Sequence, residues 1–135
     1  MAKMPQQVME KFSDLSAPKF MATVDENGNP NVVPISSIVA VDAERLMFAD
    51  IMMWKTKRNL LKNGKVACAV ITKDNIAYQV KGTFQGFQKG GPLFEFVASV
   101  PLLKYNAYWG PKAVGIIKVE EVYSACPPLP GKKIA

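Results

Sequence analysis

The sequence contains no histidine. That removes the most frequent general base, the most frequent zinc ligand and the imidazole half of Ser-His and Cys-His nucleophile pairs. Any chemistry must then come from a carboxylate, a lysine or a bound cofactor. Cysteine is scarce as well. Cys68 and Cys126 lie far apart and form no metal or redox spacing. Cys68 sits inside an apolar, strand-like run, where an inert core thiol is the ordinary reading. Cys126 precedes two prolines near the C-terminus and is expected to be exposed. A reduced, cytoplasmic setting suits both. No apolar run is long enough to span a bilayer, so no membrane partner is expected. The opening MAKMPQQVMEKF has no apolar h-region and reads as mature protein, not as a signal peptide. The glycine-rich turn of a dinucleotide-binding fold is missing, as are internal repeats, low-complexity tracts and interdomain linkers.

What is present is enough for one domain, taken as residues 1–135 with a core over 15–123 and a tail over 124–135. The 135 residues are 49% apolar, which supports a core without metal or disulfide help. Seventeen basic against eleven acidic residues give a net charge of +6 and favour an anionic partner. Charge alone leaves nucleic acid, a membrane surface and a phosphate-bearing small molecule open.

Along the chain, Met4, Val8, Phe12 and Leu15 have helical spacing and predict a short amphipathic helix over 4–15. Strands are expected over 17–24, 31–41, 46–49, 65–72, 76–85 and 113–123. Dense turn residues separate the first three at 25–30 and 42–45. Pro34 interrupts the second strand and implies an edge, a bulge or a place where the strand leaves its neighbour. Helices are expected over 56–63 and 90–100, the latter with Pro92 in its first turn. Residues 101–111 read as irregular, and 127–135 as a tail rich in proline and lysine. Six strands joined mostly by tight turns predict a mainly β fold: a closed or nearly closed antiparallel barrel, flanked by short helices.

The segment WKTKRNLLKNG (54–64) poses a specific problem. Thr56 suits an N-cap, and Asn63-Gly64 suits a C-terminal stop. Yet a helix N-terminus carries partial positive charge, and Lys55, Lys57 and Arg58 crowd that same end. Solvent, a nucleic-acid backbone, a membrane surface or a bound phosphate monoester would each neutralise them. The last uses the geometry most fully. Free N–H groups, the Thr56 hydroxyl and the flanking Lys55 and Lys57 ammoniums would surround one dianion.

Several stretches then form a familiar order: NVVPISS (31–37), LMFADIMM (46–53), WKTKRNL (54–60), AYQVKGT (77–83) and YWGPKA (108–113). Together they resemble the FMN-binding split barrels related to pyridoxamine 5′-phosphate oxidase, and within them the small FMN-binding proteins of anaerobic bacteria and archaea. The resemblance spans roughly residues 15–123 and implies a six-stranded antiparallel split β-barrel of Greek-key type that dimerises, with FMN at the subunit boundary. It implies that Lys55 and Thr56 bind the FMN phosphate, with Lys57 and Asn59 in support. Val33, Pro34, Ile35 and Ser36 would contact the isoalloxazine. Phe48, Ala49 and Asp50 would line the ring and ribityl region, and Trp109 would approach from the second subunit. Pro34 departs from a donor role because it has no N–H, so donors there must come from Ile35, Ser36 or Ser37.

With no histidine, redox chemistry would belong to the flavin itself. The oxidases of the family hold a substrate phosphate with a C-terminal Arg and His pattern. This chain ends CPPLPGKKIA, so oxidation of pyridoxamine phosphate is not expected. The reading is a small FMN-dependent oxidoreductase or flavin reductase with no catalytic side chain assigned, served by a small-molecule or protein redox partner. The alternative is a non-catalytic electron carrier or flavin store. Related barrels hold F420 or haem in place of FMN. A nucleic-acid-binding barrel would interleave exposed aromatics with its basic residues. Here the aromatics sit in apolar periodic runs, so no nucleic-acid partner is expected.

Overall fold

The computed structural model describes residues 2–51, 53–99 and 110–135. Among the described residues, three short helices and seven strands follow in chain order: α1 (Gln6–Ser13), β1 (Lys19–Val24), β2 (Pro30–Pro34), β3 (Val39–Asp42), β4 (Arg45–Asp50), α2 (Lys55–Lys62), β5 (Lys65–Ile71), β6 (Ala77–Gln88), α3 (Pro92–Ser99) and β7 (Ala113–Ser124). All pairings are antiparallel, and the sheet order is β2-β1-β5-β6-β7-β4-β3.

The expected six-stranded barrel is therefore corrected to an open seven-stranded sheet. The expected second strand, 31–41, is two strands. Pro34 has no N–H for a ladder and ends β2, and residues 35–38 carry the chain to β3 at the opposite edge. Seven strands laid flat would span about 29 Å. Four linking residues reach at most about 18 Å. The sheet must therefore curl until its two edges approach each other, without a β2–β3 ladder among the described residues. The site is built at this split.

Two clusters of buried side chains hold the curl. Inside it lie Met21, Leu46, Phe48, Cys68, Val70, Val80, Ile117, Val119 and Val122, with Val8 and Phe12 of α1 and Leu60 of α2 packed among them. Burying Val8 and Phe12 alone contributes roughly 3–6 kcal/mol before entropy is subtracted. The outer face of β4 and β7 carries Met47, Ala49, Val114 and Ile116, covered by Val97 of α3. Strand β4 is thus buried on both faces. Gly115 is required where β7 passes the Phe48 ring, because a Cβ there would overlap that ring. Cys68 is 1% exposed, and burial pushes its thiol up to about 12, as an inert core thiol requires.

One sheet face stays open to solvent. Phe20 of β1, Val32 of β2 and Ile71 of β5 project from it, with Val32 65% exposed. The C-terminal residues do not trail away. Ser124 N–H donates to Lys132 O at 2.8 Å and Ile134 N–H to Val122 O at 2.7 Å. The tail thereby runs beside the end of β7 that β4 leaves unpaired. No helix among the described residues is long and apolar enough to cross a membrane.

Candidate functional site at the split of the sheet

Helix α2 starts at Lys55, one residue before the sequence suggested. Trp54 occupies the N-cap and makes no side-chain cap bond. Thr56 is therefore not the cap. It lies in the first turn, 4% exposed, and its Oγ1 accepts a hydrogen bond from Asn31 Nδ2 at 3.2 Å. The hydroxyl proton of Thr56 stays free for an acceptor. The C-terminal stop forms as expected, with Asn63 as C-cap and Gly64 at φ +77°.

The first turn holds no acidic residue. The N–H of Arg58 is the first in the turn to find a carbonyl, donating to Trp54 O at 3.1 Å. Those of Lys55, Thr56 and Lys57 precede it and have no partner within the helix. The clustered cations divide by role. Lys57 Nζ bonds the buried Asp50 carboxylate at 2.7 Å and stands 5.2 Å from the centre of the Phe87 ring. Lys62 reaches Glu26 at 3.8 Å. Among the described residues, no carboxylate pairs with Lys55 or Arg58.

A cavity of about 270 Å³ opens at this helix end. Asn31, Val33 and Pro34 of β2 and Ile35 just after it form one wall. Ile51, Met53 and Trp54 form the facing wall, and Lys55 and Thr56 close its polar end. It is apolar at one end and rich in donors at the other. A second cavity of about 350 Å³ lies between the β1–β2 turn and α2, where Lys55, Arg58 and Lys62 face Asp25 and Glu26. The two share Asn31 and Lys55.

The structure gathers Val33, Pro34, Ile35, Lys55 and Thr56 around one cavity. Ser36 is exposed just beyond it, with its carbonyl accepting a hydrogen bond from Lys19 Nζ at 3.3 Å. Other expected site residues lie elsewhere. Phe48 is buried inside the curled sheet against Phe84 and Phe87. Ala49 lies in the cluster under α3. Asp50 is 1% exposed and occupied by Lys57. Asn59 donates from Nδ2 to Thr23 Oγ1 at 3.0 Å, tying α2 to β1. Trp109 lies outside the described residues. Sequence reasoning missed Ile51, Met53 and Trp54 as cavity walls and Asn31 as the partner of Thr56. The alternation along β2, which puts Asn31, Val33 and Ile35 on one side, was the available signal.

These donors fit a phosphate ester bearing an apolar ring. Lys55 and Thr56 bring their first-turn N–H groups, a hydroxyl and an ammonium that among the described residues pairs with no carboxylate, and most of the other lining residues are apolar. Known proteins resemble this chain in sequence and in fold. An uncharacterized protein of Methanocaldococcus jannaschii is 35% identical over 119 residues, covering 86% of this chain and 78% of that protein. The crystal structure of HupZ from Group A Streptococcus is 27% identical, with a TM-score of 0.76, and covers 98% of this chain and 100% of that one. An FMN-binding protein from Syntrophomonas wolfei shares the fold, with a TM-score of 0.71 at 19% identity, over 88% of this chain and 86% of that one. The family model for pyridoxamine 5′-phosphate oxidase matches residues 6–126, nearly the whole chain, and the protein belongs to that family.

Proposed function

We propose that this protein binds FMN at the split of its sheet and works as a small flavin-dependent oxidoreductase. The observation that carries the reading is the start of α2, where Lys55, Thr56 and unpaired N–H groups open onto an apolar-walled cavity. Membership of the family and the FMN-binding relative in Syntrophomonas wolfei support it. Lys55 and Thr56 hold the phosphate, and Asn31 fixes the Thr56 hydroxyl. Val33, Pro34 and Ile35 lie along the ring. A bound flavin supplies the redox chemistry; the chain binds it, orients it and screens it from water.

The cavity is small and open for such a ligand, at the low end of ordinary binding sites. A second copy of the chain completes it in this reading, making the protein a homodimer with the flavin at the boundary. The solvent-facing Val32 and Trp54, 65% and 83% exposed, are apolar surface for that contact. The resemblance assigns Trp109 to the second subunit's side of the flavin.

A non-catalytic electron carrier is the second reading, favoured by one observation: among the described residues no carboxylate lines the cavity. The absorption spectrum and mass spectrum of the gently purified protein identify the ligand. FMN supports the proposal, F420 or haem replaces it, and a colourless protein that takes up no flavin overturns it. Stopped-flow reduction by NADH or NADPH with an acceptor present then separates a reductase, which turns over, from a carrier, which does not.

A further inference from the structure

We infer that Lys19 is a positioning residue for the ring end of the flavin site: its buried ammonium holds the Ser36 carbonyl and thereby turns the Ser37 N–H toward the ligand. The inference rests on the flavin reading of the cavity and adds a residue that no motif marks.

Lys19 opens β1 with its side chain on the inner face, beside Met21 and Thr23 in the alternation. It is 1% exposed. Among the described residues no carboxylate pairs with its ammonium, whose one hydrogen bond goes to Ser36 O, while its own carbonyl accepts from Ile35 N–H. Across the ladder stands the apolar Val70. The charge that reaches it is that of Asp14, on the loop after α1, whose carboxylate is already bonded by Ser16. Burial lowers the Lys19 ammonium to about 8, with Asp14 pulling the other way. Packing alone would be served as well by methionine or leucine, since apolar replacement of a buried charge is often neutral or stabilising. The lysine therefore needs a reason outside the fold.

The reason lies in the peptide it holds. In a trans peptide the carbonyl and the following N–H point opposite ways. The Ser36 carbonyl is drawn inward to Lys19, so the Ser37 N–H faces outward. The Ser36 side chain of this peptide is exposed, and Ile35, one residue earlier, lines the cavity. Among the described residues this N–H meets no backbone carbonyl. The ring end of a flavin offers carbonyl oxygens and ring nitrogens as acceptors. Pro34 cannot supply a donor, and an ammonium on the carbonyl side polarises the peptide and strengthens its N–H.

The test uses riboflavin, which has no phosphate to titrate, against the full chain from pH 6.5 to 9.5, with binding read by flavin fluorescence. Affinity should hold to about pH 7.5 and then fall roughly three- to tenfold as the amine loses its proton. Lys19→Met should weaken riboflavin and FMN alike, by about tenfold, with a flat pH profile. Lys19→Arg, which stays charged, should keep its affinity to the top of the range. A flat wild-type profile overturns the inference while leaving the flavin reading intact. So does a Lys19→Met protein that loses FMN affinity but not riboflavin affinity. If neither flavin binds the wild-type chain, the flavin reading fails and this inference falls with it. Should Lys19→Met not fold, the wild-type and Lys19→Arg profiles decide alone.

Discussion

Lys57 Nζ lies 2.7 Å from Asp50 Oδ2, and the carboxylate is 2% exposed while the ammonium side is 36% exposed. This pair ties the first turn of α2 to the end of β4, on opposite sides of the split. It also answers part of the charge problem at the helix start, because Lys57 is committed to Asp50 and Lys55 is left free. Lys57→Met strands a buried carboxylate. Allowing for the partial exposure of the lysine, the variant should lose about 2 kcal/mol in urea unfolding. An unchanged midpoint would mean that water, and not Lys57, satisfies Asp50.

Gly115 and Phe48 make a second test, of packing. A Cβ on residue 115 would overlap the Phe48 ring, which Phe84 and Phe87 hold from the other side. Gly115→Ala should therefore cost about 3 kcal/mol and lower the melting temperature by several degrees. Gly90→Ala, at a position with open space around it, is the control and should change little.

Asn59 is 7% exposed and bonds Thr23 across 36 positions of sequence. Asn59→Ala leaves the Thr23 hydroxyl without that partner and should cost about 1–2 kcal/mol. It should weaken FMN binding as well, since α2 then loses its tie to β1. Loss of stability with flavin affinity unchanged would show that the helix keeps its place without this bond.

Lys19 makes stability depend on pH in a defined direction. Its folded value, about 8, lies below the ordinary 10.5. Between those values the unfolded chain holds a proton that the folded chain has released, so stability rises with pH. Below about pH 8 both states are protonated and the cost of burying the charge is constant. Melting temperatures from pH 7 to 10 should rise for the wild type relative to Lys19→Met. Parallel curves for the two proteins would contradict the assignment. The trend is opposite to that expected for riboflavin affinity over the same range, so the two effects separate.

Most of the strand and helix order was readable, because turn residues punctuate it and each helix is amphipathic. The split of residues 31–41 was not. Periodicity continues through both halves, and only Pro34 signals that they serve opposite edges of one sheet. The cation cluster at α2 was legible as an anion site, but charge counting could not separate Lys55 from Lys57, whose partner Asp50 ends β4. Phe48 and Ala49 read as site residues because they adjoin the motif. Strand β4 is buried on both faces, however, which turns one inside the curled sheet and the other under α3. Lys19 gave no signal at all, since a lone lysine at a strand start is ordinarily solvated.

Titration of the ligand-free chain with FMN and riboflavin at pH 7, before and after Lys55→Ala with Thr56→Ala, addresses the phosphate site directly. FMN should bind the wild type about a hundredfold more tightly than riboflavin, through the charge-assisted bonds at the start of α2. The double variant should stay folded and lose most of that margin while binding riboflavin as before. Equal affinities for the two flavins in the wild type, or an undiminished margin in the variant, would place the phosphate somewhere other than the N-terminus of α2.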